Sequence, residues 1–279
     1  MELHTPAKIN LTLSVGPRRP DGYHDVSTVM QTVGLYDTLT LTEEGRGLTM
    51  TCTDPALPAD GDNLVLRAAR QFFAETGLPV PNLHLRLDKR IPSQAGLGGG
   101  SSDAAAVLRA LRTLYAPEVS DAELERMAAR LGSDVPFFIR GGTALATGRG
   151  ERIAPLPPLT AGWFVIVKPP ESFPTPAMYR RLDELPPEPH RPADLTAALE
   201  GGDVRAVAAA LYNSFERAVP PDSAVRAVRD ALLAQGALGA LLSGSGSAVF
   251  GLFQRQDAAR AAADVLRRDW PLTFVARPV

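Results

Sequence analysis

The sequence predicts an α+β protein of two domains. Three observations carry that prediction. Alternating strand patterns and capped helical patterns are mixed along the chain, its 279 residues exceed one ordinary core, and a proline-rich break interrupts it past the middle.

Leu3, Thr5, Ala7, Ile9, Leu11, Leu13 and Val15 alternate with His4, Lys8, Asn10, Thr12 and Ser14, the period-two signature of a half-buried strand. Leu39 and Leu41 repeat it, then Leu48, Met50 and Cys52, then Leu83, Leu85 and Leu87. Between the last two, DNLVLRAARQFFAETG has helical spacing and a stop at Gly77. Beyond a glycine-rich stretch, residues 101–115 read as a helix rich in alanine and leucine. Ser120 opens another helix, with Glu123 three residues on as a capping box. PFFIRGGTALATGRGERI reads as two strands joined through glycines, and APLPPLTAG at 154–162 is the break, which sets domains at 1–155 and 156–279. The second half reads as a strand (WFVIVKP), a proline-rich loop carrying SFPTPAMYRRL, and helices near 192–200, 203–212 and 222–235. Strands GALLSG and SAVFGLF then flank a turn, before a helix over 257–268 and a last strand, LTFVARP.

Composition narrows the function. Hydrophobic residues make up 45% and charged residues 22%, so a sizeable core is available, and the net charge of −2 gives no basic surface for nucleic acid. Cys52 is the only cysteine, which excludes an intrachain disulfide or a cysteine-cluster metal site and fits a reducing compartment. The first residues show no signal peptide, and the apolar run GWFVIV is too short to span a bilayer, so a cytoplasmic protein without membrane attachment is expected. Monomer and homodimer both remain open. Among 29 basic residues only Lys8, Lys89 and Lys168 are lysine, a hint that these positions select a compact ammonium over a planar guanidinium.

The stretch IPSQAGLGGGSSDAAA, from Ile91, is the strongest functional signal. Gly96, Gly98, Gly99 and Gly100 let the backbone approach a ligand closely, and Ser101 and Ser102 open a helix whose first N–H groups lack internal partners. With the positive end of the helix dipole, this makes a di- or triphosphate site rather than a mere strand–helix turn. No lysine closes the loop, so the phosphate charge must be met by main-chain amides, serine hydroxyls, magnesium and residues from elsewhere.

Other features carry both a plain and a chemical reading. Lys8 and Asn10 share one face of the first strand, either a solvated face or part of a site. DGYH at 21–24 is a turn followed by an aromatic ring and an imidazole, which taken alone is an ordinary loop with one surface histidine. Asp134, set against the apolar run after it, is a cap or ion-pair partner, or a general base. Ser243, Gly244, Ser245 and Gly246 form a hairpin turn or a second ligand-facing glycine motif.

These segments share a resemblance. PSQAGLGGGSSDAA is similar to the central loop P-x-x-x-G-L-G-S/G-S-S of the GHMP kinases, the superfamily of galactokinase and of homoserine, mevalonate and phosphomevalonate kinases. The doubled-glycine form, with PAKINLTL, RRPDGYH, LGSDVPFF and LLSGSGSAVFGLF, looks most like the branch acting on a cytidyl-diphosphate derivative of methylerythritol. The resemblance implies a two-domain GHMP kinase fold, N-terminal ribosomal-S5-domain-2-like and C-terminal ferredoxin-like, with the active site in the cleft between them. It implies a small-molecule kinase using ATP and Mg2+ to phosphorylate the 2-hydroxyl of 4-diphosphocytidyl-2-C-methyl-D-erythritol, in the non-mevalonate route to isoprenoid precursors. Pro92, Ser93, Gln94, Ala95, Gly96, Leu97, Gly98, Gly99, Gly100, Ser101 and Ser102 would wrap the ATP phosphates. Lys8 and Asp134 would be catalytic, Asp134 as the base kept ionised by Lys8. Asn10, Tyr23, His24, Thr175 and Pro176 would contact substrate, Tyr23 stacking on cytosine and His24 hydrogen-bonding it; Tyr179 is a further candidate. Asn63 and residues 64–66 are candidate adenine contacts, and metal ligands are not indicated. The rivals are a kinase for another alcohol, which would have no base to stack on Tyr23, and a catalytically dead sensor on the same fold.

Overall fold

The computed structural model describes residues 1–186 and 195–279. The backbone falls into two compact units that interleave along the chain. The first comprises Met1–Ala7, Tyr36–Ile91 and Gly98–Gly141; the second comprises Lys8–Leu35, Pro92–Leu97 and Gly142–Val279.

Two long strands, β1 (Glu2–Arg18) and β2 (His24–Thr42), contribute residues to both units. In the first unit, β3 (Leu48–Cys52) leads into α1 (Leu64–Thr76) and β4 (Leu83–Asp88). β3 pairs parallel with β4, which pairs antiparallel with the end of β2 (Leu39↔Leu87). α1 forms as its signals dictate: the Asn63 side chain accepts from the Val65 N–H at 2.9 Å, and Gly77 stops the helix at φ 70°, where a side chain would be strained. α2 (Gly99–Tyr115) begins two residues before the expected start, because Gly98 at φ 70° makes the turn into it. α3 (Asp121–Leu131) has the expected reciprocal capping box of Ser120 and Glu123. The segment PFFIR is not a strand but a single helical turn, α4 (Phe137–Arg140); Phe137, Phe138 and Ile139 are buried on successive positions, which a two-sided interior permits.

In the second unit, β5 (Thr143–Thr147) pairs antiparallel with β2 (Thr28↔Ala146) and with β6 (Arg152–Pro155). β7 (Trp163–Val167) follows. α5 (Thr175–Asp183) replaces the proline-rich loop expected for SFPTPAMYRRL: Pro174 and Pro176 occupy the helix start, where a missing N–H costs nothing. The expected helix at 192–200 is seen as α6 (Thr196–Glu200), its residues 192–194 lying outside the described residues, followed by α7 (Val204–Ala209). β8 (Tyr212–Asn213) pairs parallel with β1. The remainder is α8 (Ala224–Ala234), β9 (Gly239–Leu242), β10 (Val249–Phe253), α9 (Gln256–Leu266) and β11 (Thr273–Ala276). β11-β7-β10-β9 form an antiparallel sheet, with α8 connecting into β9 and α9 connecting β10 to β11. This βαββαβ order is ferredoxin-like. Val165, Val167, Val228, Leu232, Ala259 and Ala263 pack together in its core.

β1 departs from its expected half-burial. Lys8, Asn10, Thr12 and Ser14 are all at most 3% exposed, so the polar face of this strand meets protein, not water.

Candidate active site

A buried polar strand face must satisfy its own hydrogen bonds, and this one does so in a chain. The Lys8 ammonium donates to Asn10 Oδ1 at 2.7 Å, Asn10 Nδ2 to Thr28 Oγ1 at 2.8 Å, and the Thr28 hydroxyl to the Thr12 carbonyl at 2.6 Å. The Lys8 amide donates to the Leu97 carbonyl at 2.8 Å, tying the strand to the first half of the glycine loop.

The C-terminal glycine motif is more than a hairpin turn, although β9 and β10 do pair through it. Gly96 sits at φ 73°, and a Cβ there would lie 2.0 Å from the Ser243 carbonyl oxygen. The Ser243 hydroxyl donates to the Gly96 carbonyl at 3.0 Å, and the Ala248 amide to the Ala95 carbonyl at 3.1 Å. A Cβ on Gly244 would lie 3.4 Å from Lys8 Nζ. Glycines therefore bring the loop, the second motif and the Lys8 ammonium to contact distance where any side chain would intervene. Asn213 secures the motif from below, its amide donating to the Leu242 and Gly244 carbonyls at 2.7 and 2.8 Å.

The second half of the loop enters α2. Ser102 closes the first helical bond to the Gly98 carbonyl, so the amides ahead of it lack intrahelical acceptors. Gly100 and Ser101 are not buried, and Pro92, Ser93 and Gln94 also reach the surface. Ala104, Ala105 and Ala106 are fully buried, so the helix start packs closely, as its small residues predict.

Beneath that turn lies a cluster missed in the sequence. The Lys89 ammonium bonds the Asp37 carboxylate and, at 3.0 Å, Asp103 Oδ2; Asp103 Oδ1 accepts from the Thr5 hydroxyl at 2.6 Å. Asp37 Oδ1 also accepts the Arg90 and Ile91 amides. Asp37 and Asp103 are at most 1% exposed. Burial pushes the Asp103 carboxyl up to about 6, against the opposing pull of Lys89. Burial is also the largest influence on the Lys89 ammonium, pulling downward, yet Asp103 and Asp37 together leave it raised. Sequence separations of 14 and 52 residues hide the cluster from any local pattern.

On the expected substrate side, Tyr23 is 55% exposed, with the Arg149 guanidinium 4.8 Å from its ring centre. His24 is buried: its ring stacks on Tyr179 (4.8 Å, 17°), and Nε2 meets Asp183 Oδ1 at 2.8 Å. A carboxylate accepts only, so Nε2 carries the hydrogen. Thr175 joins this unit's glycine motif through a 2.8 Å bond to Ser245, and Pro176 sits exposed in the first turn of α5. Beside His24 and Asp183 is a cavity of ≈ 290 Å³, whose lining includes Arg18 and Arg217. Asp183, Arg149 and the cavity had no sequence signal.

Asp134 lies in the first unit, in the turn between α3 and α4, partly exposed. Asn63 and its neighbours have other work: Asn63 caps α1 and donates to the Pro58 carbonyl at 2.7 Å, and Val65 and Leu66 are in the core. Among the described residues no three His, Cys, Asp or Glu side chains gather as a metal cage, and no helix is long and apolar enough to cross a membrane.

Comparison with known proteins gives the family. Residues 63–142 match the family described as GHMP kinases N terminal domain, and residues 195–272 match GHMP kinases C terminal. The 4-diphosphocytidyl-2-C-methyl-D-erythritol kinase of Heliobacterium modesticaldum is 43% identical, over 97% of this chain and 91% of its own. A crystal structure of 4-(cytidine 5'-diphospho)-2C-methyl-D-erythritol kinase superposes with a TM-score of 0.82 at 40% identity, covering 99% of this chain and 98% of that one. Homoserine kinase from Cytophaga hutchinsonii, 19% identical, shares the fold with a TM-score of 0.76, over 100% of this chain and 94% of its own. The chain therefore belongs to the GHMP kinases, within the family of the 4-diphosphocytidyl-2-C-methyl-D-erythritol kinases.

Proposed function

We propose that this protein is an ATP-dependent small-molecule kinase that phosphorylates the 2-hydroxyl of 4-diphosphocytidyl-2-C-methyl-D-erythritol, releasing ADP and the 2-phosphate in the non-mevalonate route to isoprenoid precursors. The observation that carries this reading is 43% identity across nearly the whole chain to a kinase named for that alcohol. The glycine loop, its closing motif and the buried lysine face supply the parts that phosphoryl transfer needs, which are mainly positioning and charge stabilisation.

In this reading the amides of residues 98–102 hold the ATP phosphates. Lys8, anchored by Asn10 and by the Leu97 carbonyl, stabilises charge on the transferring group, and Asp134 accepts the proton from the substrate hydroxyl. Tyr23 offers an aromatic face and His24 a polar edge, the pair that a pyrimidine needs. Asn10, Thr175 and Pro176 complete the substrate side. Magnesium is assigned to the nucleotide phosphates, since this cation keeps several waters and binds through phosphate oxygens. Bound there, it would neutralise phosphate charge. The two domains are assigned to residues 1–155 and 156–279, and the enzyme to the cytoplasm, in keeping with the free thiol of Cys52.

The test is ADP release by purified protein with magnesium–ATP and, separately, the cytidyl-erythritol, mevalonate, homoserine and galactose. Turnover of the cytidyl substrate alone supports the reading, and turnover of another alcohol overturns the substrate. ATP binding without turnover on any of them favours the sensor. Asp134→Asn should still bind ATP while turnover falls by about 10²- to 10⁴-fold; retained activity would remove it as the base.

A further inference from the structure

We propose that Lys89, Asp37 and Asp103 are positioning residues for the phosphate loop, fixing where the first turn of α2 presents its amides. This rests on the reading above that the loop holds ATP phosphates.

The argument is geometric. Asp103 is the first residue after the GGGSS stretch and lies in the opening turns of α2, where it is buried. One of its oxygens is held by Thr5 on β1 and the other by Lys89, just past the end of β4. Lys89 reaches Asp37 on β2, whose second oxygen takes the Arg90 and Ile91 amides, the residues that lead into the loop. Thr5 on β1, Asp37 on β2 and the residues on either side of the loop are therefore tied together through one ammonium and its two carboxylates. That ammonium also lies directly under the loop, since a Cβ on Gly99 would come within 3.2 Å of Lys89 Nζ. A glycine-rich backbone has no side chains of its own to hold it in one conformation, so the rigidity an anion site needs has to come from such an anchor.

Charge leaves positioning as the cluster's role, because its net sign opposes any direct attraction of an anion. Two carboxylates against one ammonium leave a net negative charge below a site for polyanions, and an interior group in that position is tolerated only when paired. Lys89 faces both carboxylates, and among the described contacts Thr5 is the other side chain that bonds Asp103.

Asp103→Asn, nearly isosteric and still able to meet Thr5 and Lys89, is the test. The direct dissociation constant for ATP is measured by calorimetry, together with the KM of the alcohol substrate and the melting temperature. Loss of the ionic tether should weaken ATP about 5- to 10-fold, with the alcohol KM changed less than about 2-fold. An ATP constant within about 2-fold of wild type, whatever the melting temperature does, or an equal change for both ligands, overturns the proposal. If the variant does not fold, Thr5→Val is judged by the same split with a smaller shift, about 2- to 3-fold. Because ATP binding is read directly, a wild-type protein that binds ATP but turns over a different alcohol would sink the substrate assignment and leave this proposal standing; one that fails to bind ATP sinks both.

Discussion

The two halves of the glycine loop are held by different physics. In the first half, residues 95–97 are locked by neutral main chain: Gly96 against the Ser243 carbonyl, Ala95 to Ala248, and Leu97 to Lys8. The half beginning at Gly98 is seated on a buried ion cluster. A backbone seam has one geometry and no titration. A charge cluster can be tuned, since its strength depends on which members are ionised. The difference predicts an all-or-none response to substitution in the first half and a graded, pH-sensitive response in the second.

The largest expected effect breaks the seam. Gly96→Ala puts a Cβ at 2.0 Å from a backbone oxygen and imposes a side chain at φ 73°, so neither side can relax by rotating a rotamer. Stability should fall by about 2–4 kcal/mol, and turnover by about 100-fold or more. Urea unfolding and ADP release read the two; activity within threefold of wild type would show a seam far softer than its geometry.

Next comes removal of a charge from the cluster. Lys89→Met leaves Asp37 and Asp103 buried against each other without their cation, a loss of about 3–5 kcal/mol. The double variant Lys89→Met with Asp103→Asn should recover much of that stability in denaturant titrations, because it removes one of the orphaned charges. If the double variant is no more stable than the single, the cluster is held by packing rather than by charge.

How far this contrast was legible in the sequence depends on range. Features set by neighbours were readable: the Asn63 cap with its Gly77 stop, the Ser120–Glu123 box, and the loop itself. Alternation in β1 was readable too, but alternation does not say what covers the polar face, and Lys8 and Asn10 proved to be buried. The first half of β2 was missed for a related reason. Val26 to Val33 is buried on both faces, so VSTVMQTV carries no clean period. The prolines of FPTPAMY suggested a loop and instead start α5. Invisible altogether were pairings set by the fold, Lys89 with Asp37 and His24 with Asp183 across 159 residues. The scarcity of lysine was the one long-range hint that held: Lys8 and Lys168 are buried, the Lys89 side chain is 7% exposed, and the Lys168 ammonium is closed in by the Pro169 and Glu171 carbonyls, both at 2.7 Å. Three donors on a compact head suit such cages better than a flat fork.

A third prediction sharpens the contrast through pH. The Asp103 carboxyl is raised to about 6 in the folded protein, above its ordinary value near 4, so the native state holds a proton that the unfolded chain releases between those values. Its contribution to stability is complete below about pH 4 and is lost as pH rises through about 6. Asp103→Asn removes that dependence. The stability of the wild type relative to the variant should therefore decline from pH 4.5 to pH 7, while the same comparison for a variant in the main-chain seam stays flat. A difference independent of pH would mean that Asp103 is no more titratable in the fold than outside it.

The smallest effect tests the seam by one bond. Ser243→Ala deletes the 3.0 Å hydrogen bond to the Gly96 carbonyl but leaves the backbone contact in place. A single neutral hydrogen bond contributes about 0.5–1.5 kcal/mol, and the glycine contact itself is untouched. Stability should drop by about that amount with no change in slope between pH 4.5 and 7, and the KM for ATP should move less than about threefold. A much larger loss would mean that the hydroxyl, rather than the absence of side chains, holds Gly96 against the second motif. The backbone lock would then be a side-chain lock after all, and the two halves of the loop would differ only in charge.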